Sequence, residues 1–246
     1  FAADFNLSFN ANESQCMYFP PVGIQRTSIM PVFQLNGNDL KFVEQYKHLG
    51  HIITADLTDH DDITQRRNVL IGQINRLVCH FGRLDVITKN RLFTAYCTSH
   101  YGAELWDLNC TTLDAYGTAW RTGLRNIWRL PRNSHGNLVS LLSFTVPVLI
   151  TIQQRFVNFV ISCLHITNAL LTYVIRHSLL NEQMKSYLTR NLFLCCESFS
   201  CDVVSLLAGR MSSEECMQHF YRRLNLSDIH CVRSAAELIF ARDGLL

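Results

Sequence analysis

The chain has 246 residues, 48% of them apolar and only 17% charged, with 11 Gly and 5 Pro. That composition supports a sizeable core and argues against a disordered chain or a fibrous repeat. The formal charge of +2 selects no partner, because a near-neutral total hides how the charges are distributed.

Residues 5 to 19, "FNLSFNANESQCMYF", alternate apolar and polar side chains and run into Pro20-Pro21. Residues 15 to 54 read as strands. "QCMYFPPV", "MPVFQL" and "DLKFV" are rich in β-branched and aromatic residues, and Asn36-Gly37 between the last two is the strongest two-residue hairpin signal. "YKHLGHIIT" reads as one further strand. After Asp56 the period changes. Ile63, Leu70, Ile71, Ile74, Leu77, Val78 and Phe81 recur at three and four, the face of an amphipathic helix starting at Asp59 or His60. The acidic run "DLTDHDD", with Asp56, Asp59, Asp61 and Asp62, sits where the macrodipole favours negative charge and reads as helix capping.

Thr88 caps a second expected helix running to Trp106. Thr111 or Thr112 opens a third, whose Leu113, Tyr116, Trp120, Leu124 and Ile127 share a face before Pro131 stops it. "NLVSLLSF" predicts a short helix. Thr145 and Pro147 have cap and first-turn chemistry for a long apolar helix, and Asn168 and Asn181 mark breaks beyond it. Two helices close the chain, one from the capping box Ser212-Ser213-Glu214-Glu215 and one ending at Gly244. The expected class is α+β, mostly α: a short β-hairpin segment at the N-terminus, then a helical bundle.

The ten cysteines are scattered, with no secretory segment ahead of them, and read as reduced thiols of a cytoplasmic or nuclear protein. Cys195, Cys196, Cys201, Cys216 and Cys231, with His219 and His230, lack zinc spacing, so they read as small buried hydrophobes. "VPVLITIQQRFVNFVISCLHI" is long enough to span a membrane, but Arg155 lies mid-run beside Gln153 and Gln154. A central Arg costs about 2.5 to 3.5 kcal/mol on insertion scales, so a buried core helix is expected and no membrane partner. The strand-rich segment has too few strands to close its own core, which predicts packing partners upstream of Phe1.

These pieces resemble, in order, parts of the reverse transcriptases of non-LTR (LINE-class) retrotransposons. "FAADFNLSFNANESQCMYF" resembles their fourth motif, an Asn-x-x-Lys-Ser turn leading into a strand. Here the turn is Asn10-Ala11-Asn12-Glu13-Ser14, followed by Met17 and Phe19. "YKHLGHIIT" resembles the primer grip, with Leu49-Gly50 at its centre. "RRNVLIGQINRLVCHFG", "YGAELW", "AWRTGLRNIWRLPRNSHGNL" and "RFVNFVISCLHITN" resemble the thumb and post-thumb helices. The resemblance covers residues 1 to 180 and implies an RNA-directed DNA polymerase: residues 1–56 the end of the palm with the primer-grip hairpin, 57–130 thumb-like helices, 131–246 a helical connection region.

"FAAD" is not read as the family's Phe-Ala-Asp-Asp box, since Asp4 lies only six residues before Asn10 and the family places a helix between them. Phe1 to Asn6 read as the tail of that helix. The catalytic carboxylates are therefore expected outside this chain. Polymerases use them to hold two metal ions on the attacking and leaving oxygens, so Mg2+ is implied for the parent enzyme, while no catalytic or metal residue and no cofactor are assigned here. Glu13 stands where the family carries Lys and would repel a triphosphate.

By resemblance, His48, Leu49, Gly50 and His51 form the primer grip, Gly50 allowing close backbone approach. An ordinary strand with a bulge at Gly50 is the alternative on residues alone. Arg121, Arg125 and Arg129 recur at four-residue spacing, with Arg132 beyond Pro131. Such a row suits the phosphates of an RNA/DNA template-primer duplex, bound in a salt-sensitive way, or it is a solvated or ion-paired flank. Arg66, Arg67, Arg76 and Lys89 are weaker candidates. Trp106, Trp120 and Trp128 suit base stacking or the core. His80, His100, His135, His165 and His177 form no hydrolase constellation. The expected function is a C-terminal polymerase fragment that needs the upstream fingers and palm. The alternatives are a helical interaction module using residues 138 to 180, and a truncated product without function.

Overall fold

The computed structural model describes residues 4–20, 30–180 and 186–199, with Asp202, Val204, Ser205, Glu215 and Gln218 beyond them. It is mostly helical with short strands near the N-terminus, the expected α+β class. The chain divides into two compact units, Phe1–Asp62 and Ile63–Leu246.

Among its described residues the first unit contains six short strands in three pairs: β1 (Gln15–Cys16) parallel to β4 (Lys41–Phe42), β2 (Gln34–Leu35) antiparallel to β3 (Asn38–Asp39), and β5 (Gln45–His48) antiparallel to β6 (His51–Thr54). Asn36 and Gly37 have φ of 52° and 75°, the two positive values that a type I′ hairpin turn demands. "YKHLGHIIT" is two strands and not one. His48 pairs with His51 across Leu49 and Gly50, at φ 48° and 86°, so a second I′ turn occupies the place expected for mid-strand. Gly50 takes this conformation without penalty, whereas for Leu49 it costs about 1 to 2 kcal/mol. The expected Asn10 turn is present. Asn10 Oδ1 accepts the Asn12 amide at 3.1 Å and its carbonyl the Ser14 amide at 3.0 Å. Asp4 to Asn6 form a turn and not the tail of a helix, with Asn6 at φ 51°.

Among its described residues this unit buries only Ala55 and Asp62, while Leu7, Phe9, Val32, Phe33, Leu49 and Leu57 are at least half exposed. Such a unit lacks the apolar burial that stabilises a fold on its own.

Helix α1 (His60–Phe81) begins in the last residues of this unit and continues through the second. In the second unit α1 buries Ile63, Leu70, Ile74 and Leu77; Ile71, Val78 and Phe81, expected on the same face, stay exposed. Helix α2 (Val86–Tyr96) starts earlier and ends much earlier than expected. Asp85 is its N-cap, accepting the Thr88 amide at 2.9 Å. It stops at Cys97, and the chain then turns through His100 (φ 42°) and Gly102 (φ 75°) into a single 3-10 turn, Ala103–Leu105. Thr98, Ser99 and Gly102 fall within "CTSHYG"; the two short hydroxyls compete with the helix backbone and the glycine weakens it.

Helix α3 (Thr112–Trp128) buries Leu113, Tyr116, Trp120, Leu124 and Ile127, the whole predicted face. It ends when Arg129 adopts the left-handed conformation and returns its N–H to the Arg125 carbonyl. Helix α4 (Gly136–Leu142) matches the predicted short helix. Helix α5 (Val148–His165) buries Val148, Ile152, Phe156, Val157, Val160 and Cys163. Pro147 is its N-cap without a side-chain bond, and the Thr145 hydroxyl instead lies 2.6 Å from Ser143 Oγ. Arg155 is neutralised within the fold: its Nε lies 3.2 Å from Glu104 and its Nη1 donates to the Ser99 carbonyl at 3.0 Å. Among the described residues no helix is long and apolar enough to cross a membrane.

Helix α6 (Ala169–Leu180) is capped by Asn168, which accepts the Leu171 amide at 3.1 Å. Helix α7 (Tyr187–Phe199) buries Leu192, Cys195, Cys196 and Phe199, so Cys195 and Cys196 are core hydrophobes. Ser212 to Glu214 of the predicted capping box and the helix ending at Gly244 lie outside the described residues.

Candidate nucleic-acid interface

The β5–β6 hairpin places the four primer-grip candidates at one tip, but not in one environment. His48 and Leu49 are exposed, and Leu49, at 75%, is among the most exposed apolar side chains. Gly50 forms the turn. His51 is turned inward, its Nδ1 3.1 Å from Asp62 Oδ2, and Asp62 Oδ1 accepts the Ile52 amide at 3.0 Å. The buried Asp62 carboxylate thus ties the hairpin to the first turn of α1. A helix-start carboxylate is legible in sequence, but its use by the strand before the helix is not.

The other acids do not converge on a metal. Asp56 accepts the Thr58 amide at 3.2 Å and its hydroxyl at 3.0 Å, and hydrogen bonds from Thr54 and then Thr58 hold its carboxyl below the usual range. Among the described residues no three His, Cys, Asp or Glu side chains are placed to hold an ion.

The arginine row divides into two anchored and two exposed members. Arg121 Nη2 donates to Thr118 Oγ1 at 2.9 Å, and its stem lies so close to Gly136 that a Cβ there would fall 3.1 Å from Arg121 Cδ. Arg125 Nη2 donates to the Ser134 carbonyl at 2.8 Å, while its Nε is buried without an acceptor. Arg129, past the end of the helix, and Arg132 are exposed. Beyond Pro131 the chain brings the Ser134 carbonyl to Arg125 and Gly136 against the Arg121 stem, while the Arg121 guanidinium is held by Thr118 of its own helix. No ion pair is formed by any of the four among the described residues.

The weaker candidates are dispersed. Arg66 lies 5.1 Å over the Tyr101 ring, Arg76 is exposed, Arg67 is half-buried and Lys89 is buried. Trp106, Trp120 and Trp128 are all core, at 1%, 3% and 8% exposure, so they offer no stacking platform. His100 is also buried, its Nδ1 2.8 Å from the Tyr116 hydroxyl. Burial, with the Arg155 charge second, lowers its pKa to about 4, and burial pushes the Tyr116 phenol up. This pair is neutral packing and not an acid-base couple. Two further polar side chains, the buried Asn191 and the half-buried Asn90, are each satisfied from two sides. Asn191 accepts the Leu108 amide at 2.9 Å and donates to the Trp106 carbonyl at 2.8 Å; Asn90 accepts from Trp128 Nε1 at 3.1 Å and donates to the Ser143 carbonyl at 3.0 Å. Sequence reasoning missed both, since a lone Asn carries no spacing signal.

No family model matches the chain, and no curated protein or solved structure is significantly similar to it.

Proposed function

We propose that the chain is the downstream part of a LINE-class reverse transcriptase, contributing primer grip and template-primer contact to RNA-directed DNA synthesis. The observation that carries this reading is the cationic end of α3, where Arg129 and Arg132 are exposed and no member of the row is ion-paired among the described residues. Cations left in water this way are available to phosphate oxygens, and a contact of this kind reads backbone and not sequence. The exposed Leu49 tip, strained at positive φ, supports a role for the hairpin at the primer end, because strain of this kind clusters at functional sites. The apolar surface of the first unit supports packing on the fingers and palm of the parent polymerase, which supply the carboxylates and Mg2+. This chain alone does not polymerise.

The test is charge reversal. Arg129→Glu with Arg132→Glu is expected to weaken binding to an RNA/DNA duplex at least tenfold with the melting temperature unchanged, since both side chains are exposed. Unchanged affinity would remove the reading. Arg121→Glu with Arg125→Glu is a poorer probe, because both side chains also brace residues 134 to 136.

One observation favours the second reading, a helical interaction module. On α6, Leu170, Tyr173 and Val174 fall on one stripe and are exposed at 72%, 64% and 49%. If this stripe carries the function, Leu170→Ser with Val174→Ser abolishes partner binding and leaves duplex affinity intact.

A further inference from the structure

A groove of about 560 Å3 lies between α1 and α3, within the range of roughly 300 to 1,000 Å3 that small-molecule sites occupy. The helices come together at Gly123, where an added Cβ would fall 2.5 Å from Ile74 Cδ1. Alongside Gly123, Ala119 leaves the α3 wall low, and Ile71 of α1 faces the groove as an apolar side chain that is 39% exposed. Arg67 is the one charged residue among the described residues of the lining. Among the described residues it has no hydrogen-bond or ion-pair partner, and its Nε is buried without an acceptor. The guanidinium therefore brings an uncompensated charge to the groove, and its terminal N–H groups suit the paired oxygens of a carboxylate or phosphate. Among the described residues no acid lines the groove to compete, and the amides of Asn75 and Asn126 add donors. No aromatic ring among them lines it either, which leaves a nucleobase no described ring to stack on.

We infer that this groove binds a small organic oxyanion, with its carboxylate or phosphate group on Arg67 and an aliphatic body along Ile71, Ala119 and Gly123. This site meets the arginine row at Thr118, which accepts from Arg121 Nη2 at 2.9 Å, and does not rest on the polymerase reading. Hexanoate and inorganic phosphate, titrated separately at millimolar concentration into the full chain, distinguish the two head groups and the aliphatic contribution. Amide chemical shifts are the readout. Hexanoate should shift the Ala119, Thr122 and Gly123 amides saturably and bind roughly tenfold tighter than inorganic phosphate, because buried methylene groups add affinity. Arg67→Gln should remove both responses. Thr122→Glu, on the exposed rim, should do the same with the circular-dichroism spectrum unchanged, which covers the case that Arg67→Gln fails to fold. The inference is overturned if neither anion moves the groove amides, if either variant folds and leaves the shifts unaltered, or if those amides respond to a nucleic-acid duplex alone.

Discussion

His100 is a base kept neutral by burial and, second, by the nearby Arg155 charge, with its Nδ1 2.8 Å from the Tyr116 hydroxyl. Its pKa falls from 6.5 to about 4 on folding, so the unfolded chain takes up a proton first. Stability is complete above pH 6.5 and drains away as pH falls from there toward 4, by about 3 kcal/mol at most. Urea unfolding between pH 7.5 and 4.5 should therefore show a steeper loss for the native chain than for His100→Gln, which has no proton to take up; parallel curves would contradict the assignment. Leu49 makes the second prediction at this scale. Leu49→Asn creates the Asn-Gly pair that I′ turns prefer and should stabilise the hairpin by about 1 kcal/mol, read as slower amide exchange across β5 and β6. If the tip contacts a primer end, the same change weakens duplex binding, a gain in stability set against function. Leu49-Gly50 was legible as a pair of interest but not as a turn. The flanking residues favour strand by propensity, and propensity does not report the sign of φ at a leucine.

At the scale of elements, the apolar period of α3 was readable because five large side chains repeat over four turns and all five are buried. Asn36-Gly37 was readable for a different reason, since few residue pairs accept two successive positive φ values. The end of α2 was not. Leu105 and Trp106 continue an apolar pattern, but the intervening residues leave the helix at Cys97 and Trp106 reaches the core from beyond the 3-10 turn. Its placement depends on Asn191 of α7, which satisfies the Leu108 amide and the Trp106 carbonyl together. Asn191→Leu would orphan a buried donor and a buried acceptor, at a cost of about 2 to 4 kcal/mol. Thermal unfolding should show that loss, whereas Asn109→Leu, exposed on the same loop, should change little; equal effects would contradict the clamp. The arginine row belongs here too. Its spacing is visible in sequence, but the Ser134 carbonyl that holds Arg125 is not, because any residue can supply a carbonyl.

For the molecule as a whole, the contrast between the two units decides what each can do. The second unit holds a contiguous core from Ile63 to Phe199, while the first buries only Ala55 and Asp62 among its described residues. Amide exchange should be slow through α3 and α5 and faster by orders of magnitude through β1 to β6, where local opening exposes little apolar surface; uniform protection would show that the first unit is stable unaided. The mostly helical class was legible from the change of period after Asp56. The proposed polymerase role rests on the order of short motifs and on the cations of α3, and a salt titration of RNA/DNA duplex affinity tests it most directly. Release of counterions from phosphates predicts a log-log slope between about −2, if Arg129 and Arg132 alone make contact, and about −4, if all four arginines do. An affinity that stays flat from low to high salt would contradict the account.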